Sequence, residues 1–174
     1  MTTVIVGTNR PNSLSRSFAE YYVDLLEAAQ VAVQLLDLSQ LPEDFIFSAL
    51  YQNSGKNPAF QPFQEMIDQS ERLVFVIPEY NGSFPGVLKA FVDGLRYPDT
   101  LQGKKVALVG LGSGIQGASL ALSHWGDILS YLEANVLGFR VKIPQVHTVL
   151  KDRKLNSPFH QELLQKQVQL FLNF

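Results

Sequence analysis

The chain contains no cysteine, which excludes disulfides, thiolate metal sites, cysteine nucleophiles and dithiol redox chemistry together. It also has little net charge. Its 14 Lys and Arg against 16 Asp and Glu leave −2 and a pI near 5.9, with no basic footprint for nucleic acid or an anionic membrane surface. No apolar run reaches membrane-spanning length, and Met1-Thr2-Thr3-Val4-Ile5-Val6 enters a strand without a basic or signal-length apolar segment. We therefore expect neither a nucleic-acid nor a membrane partner, and an intracellular, cytoplasmic setting. His124, His147 and His160 are far apart and show no ligand spacing, so no metal site is expected and all three are assigned to structure or surface.

What is present suits one buried core: 174 residues, 46% apolar, without repeats, are read as a single domain spanning 1–174. The chain is organised around Pro78-Glu79-Tyr80-Asn81-Gly82-Ser83-Phe84-Pro85-Gly86. Before it, Arg72-Leu73-Val74-Phe75-Val76-Ile77 is a continuous β-branched run suited to a strand buried on both faces. Within the stretch, Gly82 is expected at positive φ, Ser83 to cap, and Pro85 to be the first residue of a helix carrying Val87, Leu88, Phe91, Val92 and Leu95. Composition leaves two readings of this loop open, a binding loop and a plain connector.

Thr3–Val6 reads as the first strand, followed by Gly7 and the hydroxyl-rich Thr8-Asn9-Arg10-Pro11-Asn12-Ser13-Leu14-Ser15-Arg16. A helix follows, with Phe18, Ala19, Tyr22, Leu25, Leu26 and Ala29 at helical spacing and Ser13 or Ser15 as its cap. Hydroxyls, backbone N–H groups, Arg10 and the positive end of a helix converge there, which on physical grounds is an anion site. The loop lacks the Gly-x-x-x-x-Gly-Lys-Ser/Thr and Gly-x-Gly-x-x-Gly patterns of nucleotide hydrolases and dinucleotide folds.

Val31–Leu38 is the second strand, and residues 39–59 form a long irregular excursion whose Phe45, Phe47 and Tyr51 suggest packing. Helices at 60–70, 118–133 and from Pro158, and strands at 104–110 and 138–143, complete the alternation. The glycines of Leu111-Gly112-Ser113-Gly114-Ile115-Gln116-Gly117 are read as allowing close backbone approach to a ligand. Trp125 is assigned to core or interface.

Five strands alternating with five helices predict a three-layer α/β sandwich with a five-stranded parallel sheet in the flavodoxin-like order 2-1-3-4-5. In that order the 7–16 and 78–86 loops meet at the switch point, with 111–117 as a third wall.

These residues resemble the NADPH-dependent FMN reductases, a flavodoxin-like family that includes quinone, azo-dye and chromate reductases. The first family motif, Gly-Ser-x-Arg-x-x-Ser-x-Asn, corresponds to Gly7–Ser15, with Thr8 keeping the hydroxyl and Ser15 standing in place of asparagine. The second, Pro-Glu-Tyr-Asn-x-Ser-x-Pro-Gly-x-Leu-Lys, matches Pro78 to Lys89 without a break. The resemblance implies FMN with its phosphate on Thr8, Arg10, Ser13 and Ser15. It implies an isoalloxazine ring against Pro78, Glu79, Tyr80, Asn81 and Gly82, with Ser113 and Gly114 towards the other side. It further implies NADPH or NADH as electron donor, a quinone-like or other small acceptor, and a homodimer or homotetramer. The last helix and the 39–59 excursion are the expected contact surfaces. No residue is assigned a catalytic role, because the flavin accepts hydride itself and the protein supplies orientation and electrostatics. The alternatives are a flavodoxin-type electron carrier and a non-catalytic flavin-binding module.

Overall fold

Alternation along three central strands builds both faces of the molecule. The computed structural model describes residues 1–174. In β1 (Thr2–Val6), β3 (Arg72–Pro78) and β4 (Lys105–Leu111), Ile5, Leu73, Phe75, Ile77, Val106 and Leu108 join one core cluster. The intervening Val4, Val6, Val74, Val76, Ala107 and Val109 join the other. This period of two is the geometry of a pleated strand with both faces covered.

The first face packs on α3 (Gln61–Asp68), α4 (Gly86–Gly94) and α5 (Ser119–Tyr131), through Ile67, Phe91 and Trp125. The second packs on α1 (Leu14–Ala28) and α6 (Pro158–Leu172), through Phe18, Tyr22, Leu26, Leu164, Val168 and Phe171. The strands run parallel in the order β2-β1-β3-β4-β5, with β2 at Val33–Asp37 and β5 at Asn135–Val136. The expected three-layer sandwich and strand order are therefore present.

The fifth sheet position differs from the expectation of one strand over 138–143. It consists of β5 (Asn135–Val136), beside the start of β4, and β6 (Val141–Ile143), beside its end. Gln167, fully buried on α6, fills the break: its amide nitrogen donates to Leu108 O (3.0 Å) and Phe139 O (2.7 Å), satisfying a β4 carbonyl that a continuous strand would use. A further antiparallel hairpin, β7 (Leu150–Lys151) and β8 (Lys154–Leu155), was not foreseen because its Asp152-Arg153 turn carries neither asparagine nor glycine.

Within the excursion, Phe45 opens the short helix α2 (Phe45–Ser48) and stacks on Phe60 at 6.1 Å, whereas Phe47 and Tyr51 are 87% and 83% exposed. Only the first of those three aromatics packs inside the chain. Pro85 is the residue flanking α4 (φ −63, ψ 138) rather than its first helical residue. Ser83 does not cap that helix; its hydroxyl pairs with His124 Nδ1 at 2.9 Å, tying the 78–86 loop to α5.

Candidate functional site

The strand order reverses between β1 and β3, so the loops leaving their carboxyl ends lie side by side. Gly7 N donates to Val76 O (2.9 Å), and the hydroxyls of Thr8 and Tyr80 pair at 3.0 Å. The other walls are joined by backbone bonds: Glu79 N to Leu111 O (2.8 Å), Gly112 N to Ile143 O (3.0 Å) and Val146 N to Gly112 O (3.0 Å). Four segments of distant sequence thus surround one cavity of about 510 Å³.

Thr8, Arg10, Ser13 and Ser15 line this cavity from the first loop, Pro78, Glu79 and Tyr80 from the second, and Leu111 and Ser113 from the third. Asn81, Gly82 and Gly114 do not line it. Asn81 (φ 51) and Gly82 (φ 73) are the two left-handed residues of a tight turn closed by reciprocal Tyr80–Ser83 backbone bonds of 2.8 and 2.9 Å. The expected positive φ at Gly82 is therefore present, and its purpose is the turn that presents Tyr80. At Gly110, near the end of β4, and Gly112, in the third loop, glycine serves packing, whereas a Cβ on Gly114 would meet nothing within 4 Å. A Cβ on Gly110 would lie 2.8 Å from Gly117 O, and one on Gly112 would lie 3.0 Å from Ala118 N, so these residues interlock with each other.

The first loop is a set of hydrogen-bond donors. Ser13 Oγ accepts from Arg16 N (3.3 Å) as the cap of α1, and Thr8 Oγ1 accepts from Arg10 N (3.2 Å). A hydroxyl accepting in this way keeps its own hydrogen to donate. Arg16 is held by Glu20 (2.8 Å) and Asp37 (3.1 Å). The Glu20 hydrogen bond first, then the Asp37 charge, raise its pKa further above the usual arginine value. Arg10 forms no ion pair, so its charge is free for a ligand.

Val146 and His147, in the loop after β6, also line the cavity, beside Pro11, Asn12 and Leu14 of the first loop. His147 is exposed, in keeping with its assignment to structure or surface, and its place on the cavity wall is an addition to that assignment. The usable signal was positional: a loop leaving the carboxyl end of the last strand belongs to the same sheet edge as the others. No group of His, Asp and Glu residues is arranged to hold a metal ion.

A parallel sheet in the order 2-1-3-4-5, covered by helices on both faces and carrying its cavity at the switch point, defines a flavodoxin-like α/β protein. The same fold is seen in FerB, a flavoenzyme NAD(P)H:(acceptor) oxidoreductase from Paracoccus denitrificans. That structure superimposes with a TM-score of 0.79 at 23% identity, over 99% of this chain and 94% of FerB. The chain belongs to the NADPH-dependent FMN reductase family, which matches residues 2–148. A 2-hydroxy-1,4-benzoquinone reductase of a Burkholderia species is 30% identical over 133 residues, covering 75% of this chain and 70% of the relative. A quinone reductase of Escherichia coli K12 is 30% identical over 136 residues, covering 76% and 71%. The protein is accordingly an oxidoreductase whose cofactors are FMN and a reduced nicotinamide dinucleotide.

Proposed function

We propose that residues 1–174 act as one FMN-binding domain that passes hydride from NADPH or NADH to a quinone-like or other small acceptor. The observation that carries this reading is the cavity itself, in which an unpaired arginine and a helix start adjoin a cleft walled by Pro78, Tyr80, Leu111 and Val146. At about 510 Å³ it lies within the roughly 300–1,000 Å³ that hold cofactor-sized ligands. The donor set fits a phosphate monoester: Arg10, the hydroxyls of Thr8, Ser13 and Ser15, and the backbone N–H groups opening α1 all suit an anion, and no first-loop carboxylate lines the cavity.

When bound, FMN supplies the hydride-accepting ring, and the chain's own residues supply placement. Arg10 and the first-loop hydroxyls hold the phosphate end, while the Tyr80–Ser83 turn and Pro78 set the ring wall. Glu79, exposed and bonded through its backbone to Leu111, contributes main chain. The quinone reductases among the relatives support a flat small-molecule acceptor. FMN-loaded protein is expected to oxidise NADPH or NADH anaerobically with 1,4-benzoquinone as acceptor. FMN binding without turnover on any acceptor would return the protein to the electron-carrier reading.

Gly82→Val tests the ring wall. Forcing a β-branched residue into the left-handed turn costs about 1 kcal/mol or more. No atom lies within 4 Å of the position a Cβ would take, so the cost is backbone strain alone. The variant should lose FMN affinity out of proportion to the melting temperature of its apoprotein; equal losses would reduce the turn to a structural role.

We further propose that the domain assembles as a homodimer or homotetramer and works in the cytoplasm. No helix is long and apolar enough to cross a membrane. The last helix is the weaker candidate for the contact surface, because its Leu164, Val168 and Phe171 are buried against the sheet and, of its large apolar residues, only Phe159 and Leu170 stand exposed. The stronger candidate is the cleft of about 720 Å³ between α4, α5 and the 50–54 segment, where Tyr51, Tyr97 and Tyr131 stand 83%, 70% and 78% exposed. An apolar surface of this kind suits association. Light scattering at micromolar concentration should return a multiple of the chain mass, and Tyr131→Glu should shift it towards the monomer.

A further inference from the structure

We infer that Arg153, in the β7–β8 turn, is a positioning residue for the anion-binding loop, an inference that rests on the phosphate assignment made above. Its guanidinium donates through Nη1 to Asn12 O (3.3 Å) and through Nη2 to Ser13 O (3.1 Å), across 141 and 140 residues of sequence. Those two carbonyls precede the first turn of α1, whose cap is Ser13. Pinning them orients the peptide planes whose other ends are the N–H groups opening the helix. The rigid, planar fork of arginine suits two adjacent acceptors in a way that a single ammonium does not.

The hairpin holds this side chain at a cost to its own backbone. Asp152 (φ 48) and Arg153 (φ 62) are both left-handed, a conformation that the Asn-Gly pair adopts cheaply and arginine does not. Leu155, next to the turn, is buried in the core and anchors the hairpin, so the tip cannot drift from the first loop without unpacking it. A polar cleft of about 220 Å³ lies between hairpin, loop and α1, lined by Arg10, Asn12, Ser13, Arg16, Glu20, Asp37, Ser39 and Arg153. It shares Arg10, Asn12 and Ser13 with the larger cavity, which makes the first loop the wall between the two. Glu20 and Asp37 are engaged by Arg16, whereas Arg153, like Arg10, has no carboxylate partner. Two guanidiniums without a carboxylate partner, Arg10 on the loop and Arg153 behind it, therefore lie at the proposed phosphate site.

Arg153→Gly separates the binding role from the structural one, because it removes the side chain and relieves the backbone strain in one step. Apoprotein of the parent and of the variant would each be titrated with FMN and with riboflavin, and their melting temperatures measured without ligand. The expected result is FMN affinity lower by about tenfold, riboflavin affinity unchanged, and a melting temperature equal to or above the parent's. An unchanged FMN-to-riboflavin ratio in the variant, in a parent that prefers FMN, overturns the role of Arg153 alone. Equal loss of both ligands with a lower melting temperature also overturns it, by making the contact a fold brace. A parent that does not distinguish the two ligands overturns the phosphate assignment itself, and this inference with it.

Discussion

Apoprotein titrated with FMN and with riboflavin is expected to bind FMN roughly a hundredfold more tightly or better. Riboflavin carries the same ring without the phosphate, so the comparison isolates the first loop from the walls formed by Pro78, Tyr80, Leu111 and Val146. Each hydrogen bond to a charged group contributes about 1.5–3 kcal/mol net, and two such bonds, discounted for solvent access, already reach a hundredfold. The structure places Arg10 on the cavity without an ion-pair partner and leaves the Ser13 hydroxyl hydrogen available, because that oxygen already accepts a backbone N–H group, while Thr8 Oγ1 accepts from Arg10 N and pairs with the Tyr80 hydroxyl at 3.0 Å. Arg10→Ala should reduce the ratio by about tenfold or more while riboflavin affinity stays nearly constant. Arg10 is exposed and makes no ion pair, so little stability should be lost. FMN and riboflavin binding within a few-fold of each other would return Thr8, Ser13 and Ser15 to simple capping roles.

The largest stability effect is expected at Trp125, which is fully buried on α5 and meets Phe75 of β3 at 5.4 Å and Phe84 at 4.9 Å, both edge-on. Phe84 belongs to the 78–86 loop, so Trp125 is the floor on which the ring wall rests; the Ser83–His124 bond from the same helix is its second support. Truncating a buried aromatic of this size costs about 3–5 kcal/mol. In a chain of this length that corresponds to a fall of roughly 10 °C in melting temperature. Trp125→Ala should also lower FMN affinity, since the loop loses its backing. Trp125→Phe is the control. The indole nitrogen has no hydrogen-bond partner, so removing it leaves no acceptor unsatisfied, and the loss should stay well below that of alanine. A fall of only a degree or two for Trp125→Ala would show that Phe75 and Phe84 repack without it.

Much of the fold was legible in the residue pattern because its signals are local. The continuous runs at 72–77 and 104–110, the helical spacing of Phe18, Tyr22 and Leu26, and the Asn81-Gly82 turn each depend on a few neighbouring residues. Strand order followed from element order, since short crossovers between parallel strands leave few arrangements. The first-loop hydroxyls and Arg10 could be named as a candidate anion site because that loop joins the first strand to a helix start, whereas Pro78 and Tyr80 were named through the resemblance carried by the Pro78–Lys89 motif.

The sequence by itself determined the order of the main strands and helices and the two faces of the sheet, through periodicities and turn residues confined to short windows. Tertiary structure alone decided which residues complete the cavity and how the edge is shaped. Val146 and His147 reach the cavity from the loop after β6, and Gln167 fills the gap in the fifth sheet position by donating to the Leu108 carbonyl. Arg153 meets Asn12 and Ser13 across most of the chain, and the last helix turns its apolar face inward, leaving Tyr51, Tyr97 and Tyr131 outside. Each of these depends on side chains from segments far apart in sequence. Such a contact has no period and no fixed spacing, so it exists only once packing has brought its two ends together.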